Sequence, residues 1–245
     1  MKPAGVIIIF LTLTFFWFSA SGLAPKPVKV LIYSKTSGFR HKNIPLGIKA
    51  IRELGKEIGF SVDTTENPED FNSRNLKQYK AVIFLSPTGN DILNSEQRTA
   101  FQKYIRSGGG FAGIHAATDC LFDWEWYSKM VGGYFKNHPK IQEAHLHIKD
   151  DDHSSTRALP KEWVHTDEWY NFKNLNSEVK VLITVDEKTY SGGTNGENHP
   201  IAWYHEFEGG RVFYTALGHT DDCFTKDKLF LNHLAGGIKY AAGIR

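Results

Sequence analysis

Cysteine is scarce, with two in 245 residues, too few for a disulfide-stapled scaffold or a zinc site built from four thiolates. Charge of one sign is missing too. The 29 Lys and Arg stand against 27 Asp and Glu, a net of +2, which excludes a nucleic-acid footprint spread over the whole surface. Beyond residue 22 no apolar run approaches the roughly 20 residues that span a bilayer, so no membrane span is expected in the mature chain. Internal repeats and low-complexity linkers are absent as well. Apolar residues (41%) and aromatics (13%) are plentiful, enough for a sizeable core in one large domain. Any metal would have to be held mainly by His and carboxylates.

Val6 to Phe18 is an unbroken apolar or hydroxyl-bearing run, preceded by Lys2 and followed by Ser19, Ala20, Ser21 and Gly22. This is the layout of a secretory signal peptide cleaved after Ala20 or Gly22. A leader over 1–22, a single domain over 23–245 and a periplasmic location are therefore expected.

From Val28 short β-branched runs alternate with helical patterns, the signature of βαβ units and a parallel sheet. Strands are expected at 28–34, 61–65, 81–85, 111–114 and 211–217. The spacing of Ile44, Ile48, Ile51, Leu54 and Ile58 predicts an amphipathic helix closed at Gly59. Asn94 with Gln97 offers a capping box for a helix ending at Ser107. Between about 144 and 207 strands without long helices predict an antiparallel excursion that packs on or extends the sheet. A closing helix over 227–242 is expected to weaken at Gly236 and Gly237. The fold class is α/β, a doubly wound, mostly parallel sheet with an antiparallel excursion.

Ligands bind such sheets beyond the carboxyl ends of the strands. The residues found there are Lys35 to His41, Ser86 to Asn90 with Thr88, His115 to Asp119, and Gly218 to Asp222. Gly113-Ile114-His115-Ala116-Ala117 has the small flanks of a sharp elbow that lifts its central side chain out of the sheet. An imidazole so placed can be a proton shuttle, a metal ligand or a donor to a substrate oxygen. His219 has Asp221 two residues on as a candidate orienter. Arg40 supplies a planar fork for carboxylate or hydroxyl groups and His41 follows it. Asp167 and Glu168 pair two carboxylates beside Trp169 and Tyr170. His145 and His147 alternate as on one strand face, which a solvated polar face explains without a metal.

The five tryptophans after the leader, Trp124, Trp126, Trp163, Trp169 and Trp203, all follow the elbow or lie in the excursion. Core packing accounts for some, and aromatic faces beside a polar cleft also suit sugar rings. Cys120 and Cys223 follow the ends of two strands and could bridge in an oxidising compartment.

At these residues the chain resembles the trehalose-utilisation (ThuA-like) domain family, within the class I glutamine-amidotransferase-like, flavodoxin-like superfamily. The resemblance covers about 28–243. It is carried by Gly38-Phe39-Arg40-His41, the run from Gly108 to Asp119, Asp167 to Tyr170, His199 to Trp203, and the run from Gly210 to Thr220. Amidotransferase relatives carry a catalytic Cys at the elbow and a His-x-Glu pair after the last strand. Here those places hold His115, and His219 with Asp221, so the resemblance implies no thioester chemistry. Cys120 lies five residues beyond the elbow. Members resemble partners of sugar dehydrogenases in disaccharide breakdown.

Together these readings predict a secreted carbohydrate-catabolism protein, an enzyme acting on keto-disaccharides or glycosides. His115, His219 and Asp221 are its expected catalytic residues, with Arg40, His41, Thr88, Asp119, Asp167, Glu168, Trp169 and Trp203 around a small carbohydrate. His41, His115 and His219 could instead hold one divalent metal such as zinc. The alternatives are a non-catalytic sugar-binding accessory protein and an amidase using Cys120.

Overall fold

The structure, a computed structural model, describes Met1 and residues 28–244; the expected leader over 1–22 lies outside the described residues. β1 (Val28–Tyr33) leads into α1 (Ile44–Ile58), whose buried stripe includes Ile44 and Ile51. Gly59 ends the helix at φ +95°, a conformation that costs glycine little. β2 (Phe60–Thr65), the single-turn α2 (Ser73–Leu76) and β3 (Ala81–Leu85) follow. The Asn94–Gln97 capping box opens α3 (Ser95–Arg106) with both reciprocal hydrogen bonds formed. β4 (Gly110–Ile114) ends at the elbow, and α4 (Glu125–Val131) comes after it.

The excursion contains β5 (Tyr134–Asn137), β6 (Gln142–Ile148), β7 (Glu162–Asp167), β8 (Asn171–Lys173), β9 (Lys180–Val185) and β10 (His199–Phe207). The chain then returns through β11 (Gly210–Thr215), α5 (Asp221–Thr225) and α6 (Lys228–Ala242). The main sheet has nine strands in the order β2-β1-β3-β4-β11-β10-β9-β6-β7. The first five are parallel, and from β11 onward every pairing is antiparallel. The excursion thus extends the sheet, while β5 and β8 form a separate ribbon.

β3 and β4 are buried at every position, as strands covered on both faces must be. His145 and His147 lie on the outward face of β6, between the buried Ala144, Leu146 and Ile148. The expected weak point of α6 is absent: the helix runs intact through Gly236 and Gly237. A Cβ at Gly236 would stand 2.1 Å from the Ser154 carbonyl oxygen, and one at Gly237 would stand 2.2 Å from the Phe213 ring. Gly236 trades helix propensity for close approach of the Ser154 loop, and Gly237 for close packing on β11. Among the described residues no helix is long and apolar enough to cross a membrane.

Candidate functional site

The ends of β1, β3, β4 and β11 meet at one rim. Thr36 bridges Thr88 and Gly89 bridges Cys120, which lays the loops after β1, β3 and β4 side by side. The Asn43 side-chain amide donates to the carbonyls of Gly218 (2.9 Å) and His219 (2.8 Å), tying the loop after β11 to the start of α1. His115 occupies the elbow at φ +51°, a left-handed conformation that a non-glycine residue adopts only when its surroundings impose it.

Four side chains converge there. His115 Nε2 lies 3.1 Å from His41 Nε2, 3.0 Å from His219 Nδ1 and 3.6 Å from Glu168 Oε2. His219 Nδ1 is 3.2 Å from the same carboxylate oxygen. All four atoms fall within 4.8 Å of one another. His115 Nδ1 is 2.8 Å from the Ala216 carbonyl, which can only accept. The proton therefore sits on Nδ1, and the Nε2 lone pair points into the cluster. The other Glu168 oxygen meets His138 Nδ1 at 3.0 Å, and the Tyr170 hydroxyl is 3.2 Å from His115 Nε2.

Electrostatics keep two of these rings neutral. Burial, then the neighbouring His41, drives the His115 pKa far below its ordinary value. Burial, then His219, lowers His41 to about 4. At His219 burial opposes the charge, but the Glu168 carboxylate outweighs it and raises the pKa. Two or three neutral imidazole nitrogens facing a carboxylate make a cation-binding set. Zinc–nitrogen bonds of about 2.0–2.1 Å in a tetrahedron give ligand–ligand edges of about 3.3–3.4 Å. The four measured edges, 3.0 to 3.6 Å, fall around that value. His41, His115, Glu168 and His219 could thus hold one divalent ion.

Other expected site residues stand elsewhere. Arg40 is exposed and forms a two-armed pair with Glu66, at 2.7 and 3.2 Å. The buried Thr88 hydroxyl donates to the Phe39 carbonyl at 2.7 Å and so braces the loop carrying His41. Asp167 is completely buried and accepts from the backbone N–H groups of Gly218, His219 and Thr220. It aligns the turn that bears His219 and has no face left for a sugar.

Asp221 is exposed at the start of α5, and the carboxylate oriented on His219 is Glu168. Trp169 and Trp203 are core residues, with indole N–H groups donated to the carbonyls of Gln142 and Val131. Full burial satisfied by backbone explains both. Asp119 stays at the rim, half-buried, and burial pushes its carboxyl up to about 6.

Cys120 and Cys223 are both free, buried thiols. Cys120 packs against the Ala117 carbonyl and the Tyr127 hydroxyl, Cys223 against His165 and Asp167. No bridge forms, and burial raises the Cys120 pKa far out of the nucleophile range.

Three contributors, His138, Asn43 and Tyr170, lie outside the expected site residues, although Tyr170 belongs to a run that carries the family resemblance. Asn43 lies beyond the stretch read after β1, and His138 directly follows β5, a short strand that the sequence does not mark. Tyr170 follows Asp167, Glu168 and Trp169 directly, and nothing in that run sets it apart from the tryptophan beside it. The exposed Phe39 ring packs edge-on against His41 at 4.9 Å.

The ThuA family profile, described as trehalose utilisation, matches residues 29–241. The chain belongs to the ThuA family. This membership associates it with carbohydrate utilisation. A ThuA-like protein of Bacteroides uniformis is similar in structure, with 26% identity, a TM-score of 0.76, and coverage of 91% of this chain and 94% of that one. A second ThuA-like protein, from Parabacteroides merdae, has 20% identity and a TM-score of 0.71 over 89% and 91%. A GMP synthase component from Thermoplasma acidophilum shares the fold at 12% identity and a TM-score of 0.56, over 89% and 95%. Among curated proteins none matches. These solved structures share the α/β fold of this chain, in which a histidine, His115, stands at the elbow after β4.

Proposed function

We propose that this ThuA protein is a metal-dependent enzyme of sugar catabolism that acts on a keto-disaccharide or related glycoside by isomerisation or elimination. The observation that carries the reading is the convergence of His41, His115, Glu168 and His219 where three parallel strands end. A bound divalent ion would supply Lewis-acid polarisation of a carbonyl or enediolate oxygen.

The remaining work falls to groups around the cluster. His115 is a ligand rather than a proton shuttle, because the Ala216 carbonyl holds its Nδ1 proton. Tyr170 keeps its hydroxyl proton, since burial raises its pKa, and can donate to a substrate oxygen beside His115. Asp119, a half-buried carboxyl at the rim, would take a proton from the carbon next to the carbonyl. His138 holds Glu168 in position and is itself partly exposed. Phe39 offers its ring to the apolar face of a sugar.

The leader over 1–22 would carry the chain to the periplasm, where a sugar dehydrogenase would furnish the keto group. The missing elbow cysteine and the buried Cys120 speak against the amidase alternative. Metal analysis of the purified protein with a screen against oxidised disaccharides tests the proposal. Turnover that needs metal and is lost in Glu168→Gln is expected. Undiminished turnover after complete metal removal overturns it.

A further inference from the structure

Behind the candidate active site lies a second cluster of potential ligands: His165 on β7, Asp167 at its end, and Cys223 in α5. All three are buried. His165 Nε2 is 3.5 Å from Asp167 Oδ2 and 3.7 Å from Cys223 Sγ, and Sγ is 3.5 Å from the same carboxylate oxygen. A direct hydrogen bond between charged partners would draw nitrogen and oxygen to about 2.7–2.9 Å. The nitrogen–oxygen contact is long for a charge-assisted bond, the two sulfur contacts are within reach of a thiol hydrogen bond, and the three atoms face one another. With zinc bonds of about 2.3 Å to sulfur and 2.0–2.2 Å to nitrogen and oxygen, tetrahedral edges come to about 3.3–3.6 Å, near the observed triangle.

The surroundings are also those of a metal site. His165 Nδ1 lies 3.1 Å from Asp227 Oδ2, so a carboxylate orients the ring with Nε2 turned toward the thiol, the arrangement that raises the basicity of a ligating imidazole. Both Asp167 oxygens are steadied by backbone N–H groups. A surface cavity of about 630 Å³, lined in part by His165, Thr220, Cys223 and Asp227, reaches the cluster from outside and offers an entry path.

We propose that His165, Asp167 and Cys223 form a second divalent-metal site, with zinc as the ion that suits a thiolate, an imidazole and a carboxylate together. Three protein ligands leave a position for solvent. Because Asp167 also holds the backbone of His219, an ion here would stiffen the turn that presents that histidine to the active-site cluster. The inference stands apart from the proposed reaction, since its ligands share no side chain with the first set.

Cobalt(II) provides the test. The full-length protein is stripped with a strong chelator, reloaded with cobalt(II) alone, and read for stoichiometry and near-ultraviolet absorption. A thiolate–cobalt charge-transfer band is expected, with two equivalents bound. Cys120→Ser should keep the band, leaving Cys223 as the only thiol able to produce it. Cys223→Ser should remove the band and one equivalent, and His165→Gln provides a second variant should Cys223→Ser not fold. His41→Ala should lose the other equivalent and keep the band, separating failure of the active-site reading from failure of this one. Folded wild-type protein that binds cobalt without a thiolate band overturns the proposal.

Discussion

Asp167 and Glu168 are adjacent in sequence, yet their carboxylates belong to different clusters. Asp167 grips the backbone of Gly218, His219 and Thr220, while Glu168 reaches the rings of His115 and His219. Successive residues at a strand end point to opposite sides, so two neighbouring acids can position one histidine and face it.

Asp167→Asn should therefore be strongly destabilising. It leaves the His165 imidazole without one of its two carboxylates and weakens three hydrogen bonds donated by backbone N–H groups. Losing one partner of a buried ion pair costs about 3–5 kcal/mol. Chemical denaturation should show a midpoint shift of that order, and a change below about 1 kcal/mol would contradict the role assigned to Asp167.

His138→Ala tests the support behind the active-site ligands. It frees the Glu168 oxygen that does not face the cluster, and loss of such outer-shell partners lowers metal affinity by about 10–100-fold. Competition against a metal buffer measures this directly. Glu168→Gln, which removes a ligand charge, should weaken binding further than His138→Ala.

Arg40→Ala separates the surface from the site. The Arg40–Glu66 pair is exposed on both sides, and such pairs contribute about 1 kcal/mol or less. Stability and turnover should both stay close to wild type. A large fall in turnover would return Arg40 to the substrate.

Acid should destabilise the fold through His233. Burial, partly offset by the Ser155 carbonyl, lowers its pKa to about 4. The folded pKa is depressed, so between about 6.5 and 4 the unfolded chain binds the proton that the folded one refuses. Stability is then lost as pH falls through that window, with a slope of up to about 1.4 kcal/mol per pH unit from this residue. Unfolding curves at several pH values should show the slope, and His233→Gln should reduce it by this residue's share, since His41 and His115 act in the same direction.

Both thiols should be inert in the folded state. Cys120 and Cys223 are buried and unbridged, so a thiol reagent should find almost nothing to modify until denaturant is added, when two groups should react. Rapid labelling of native protein would contradict this.

Much of the scaffold was legible in the chain. Strand β3 and the extent of α1 and α3 follow from β-branched runs, three-and-four spacing and the Asn94–Gln97 cap, because these signals are local and the final fold agrees with them. The elbow histidine, His41 and His219 were legible as well, since the rule for parallel sheets directs attention to residues just past a strand. Trp169 and Trp203 misled: an aromatic side chain serves a core and a sugar site equally, and its burial depends on neighbours far along the chain. Asp221 misled because proximity in sequence suggested an orienter, whereas Glu168 arrives from the far edge of the sheet.

Residue identities and their short-range order were sufficient for the α/β class, the helix caps and the presence of imidazoles at strand ends, all of which depend on backbone geometry over a few residues. Packing across the sheet decided which acid meets which histidine, that the two cysteines stay apart, and that Tyr170 and His138 join the site. Those pairings link positions tens of residues apart, where only the three-dimensional arrangement sets the distance between atoms.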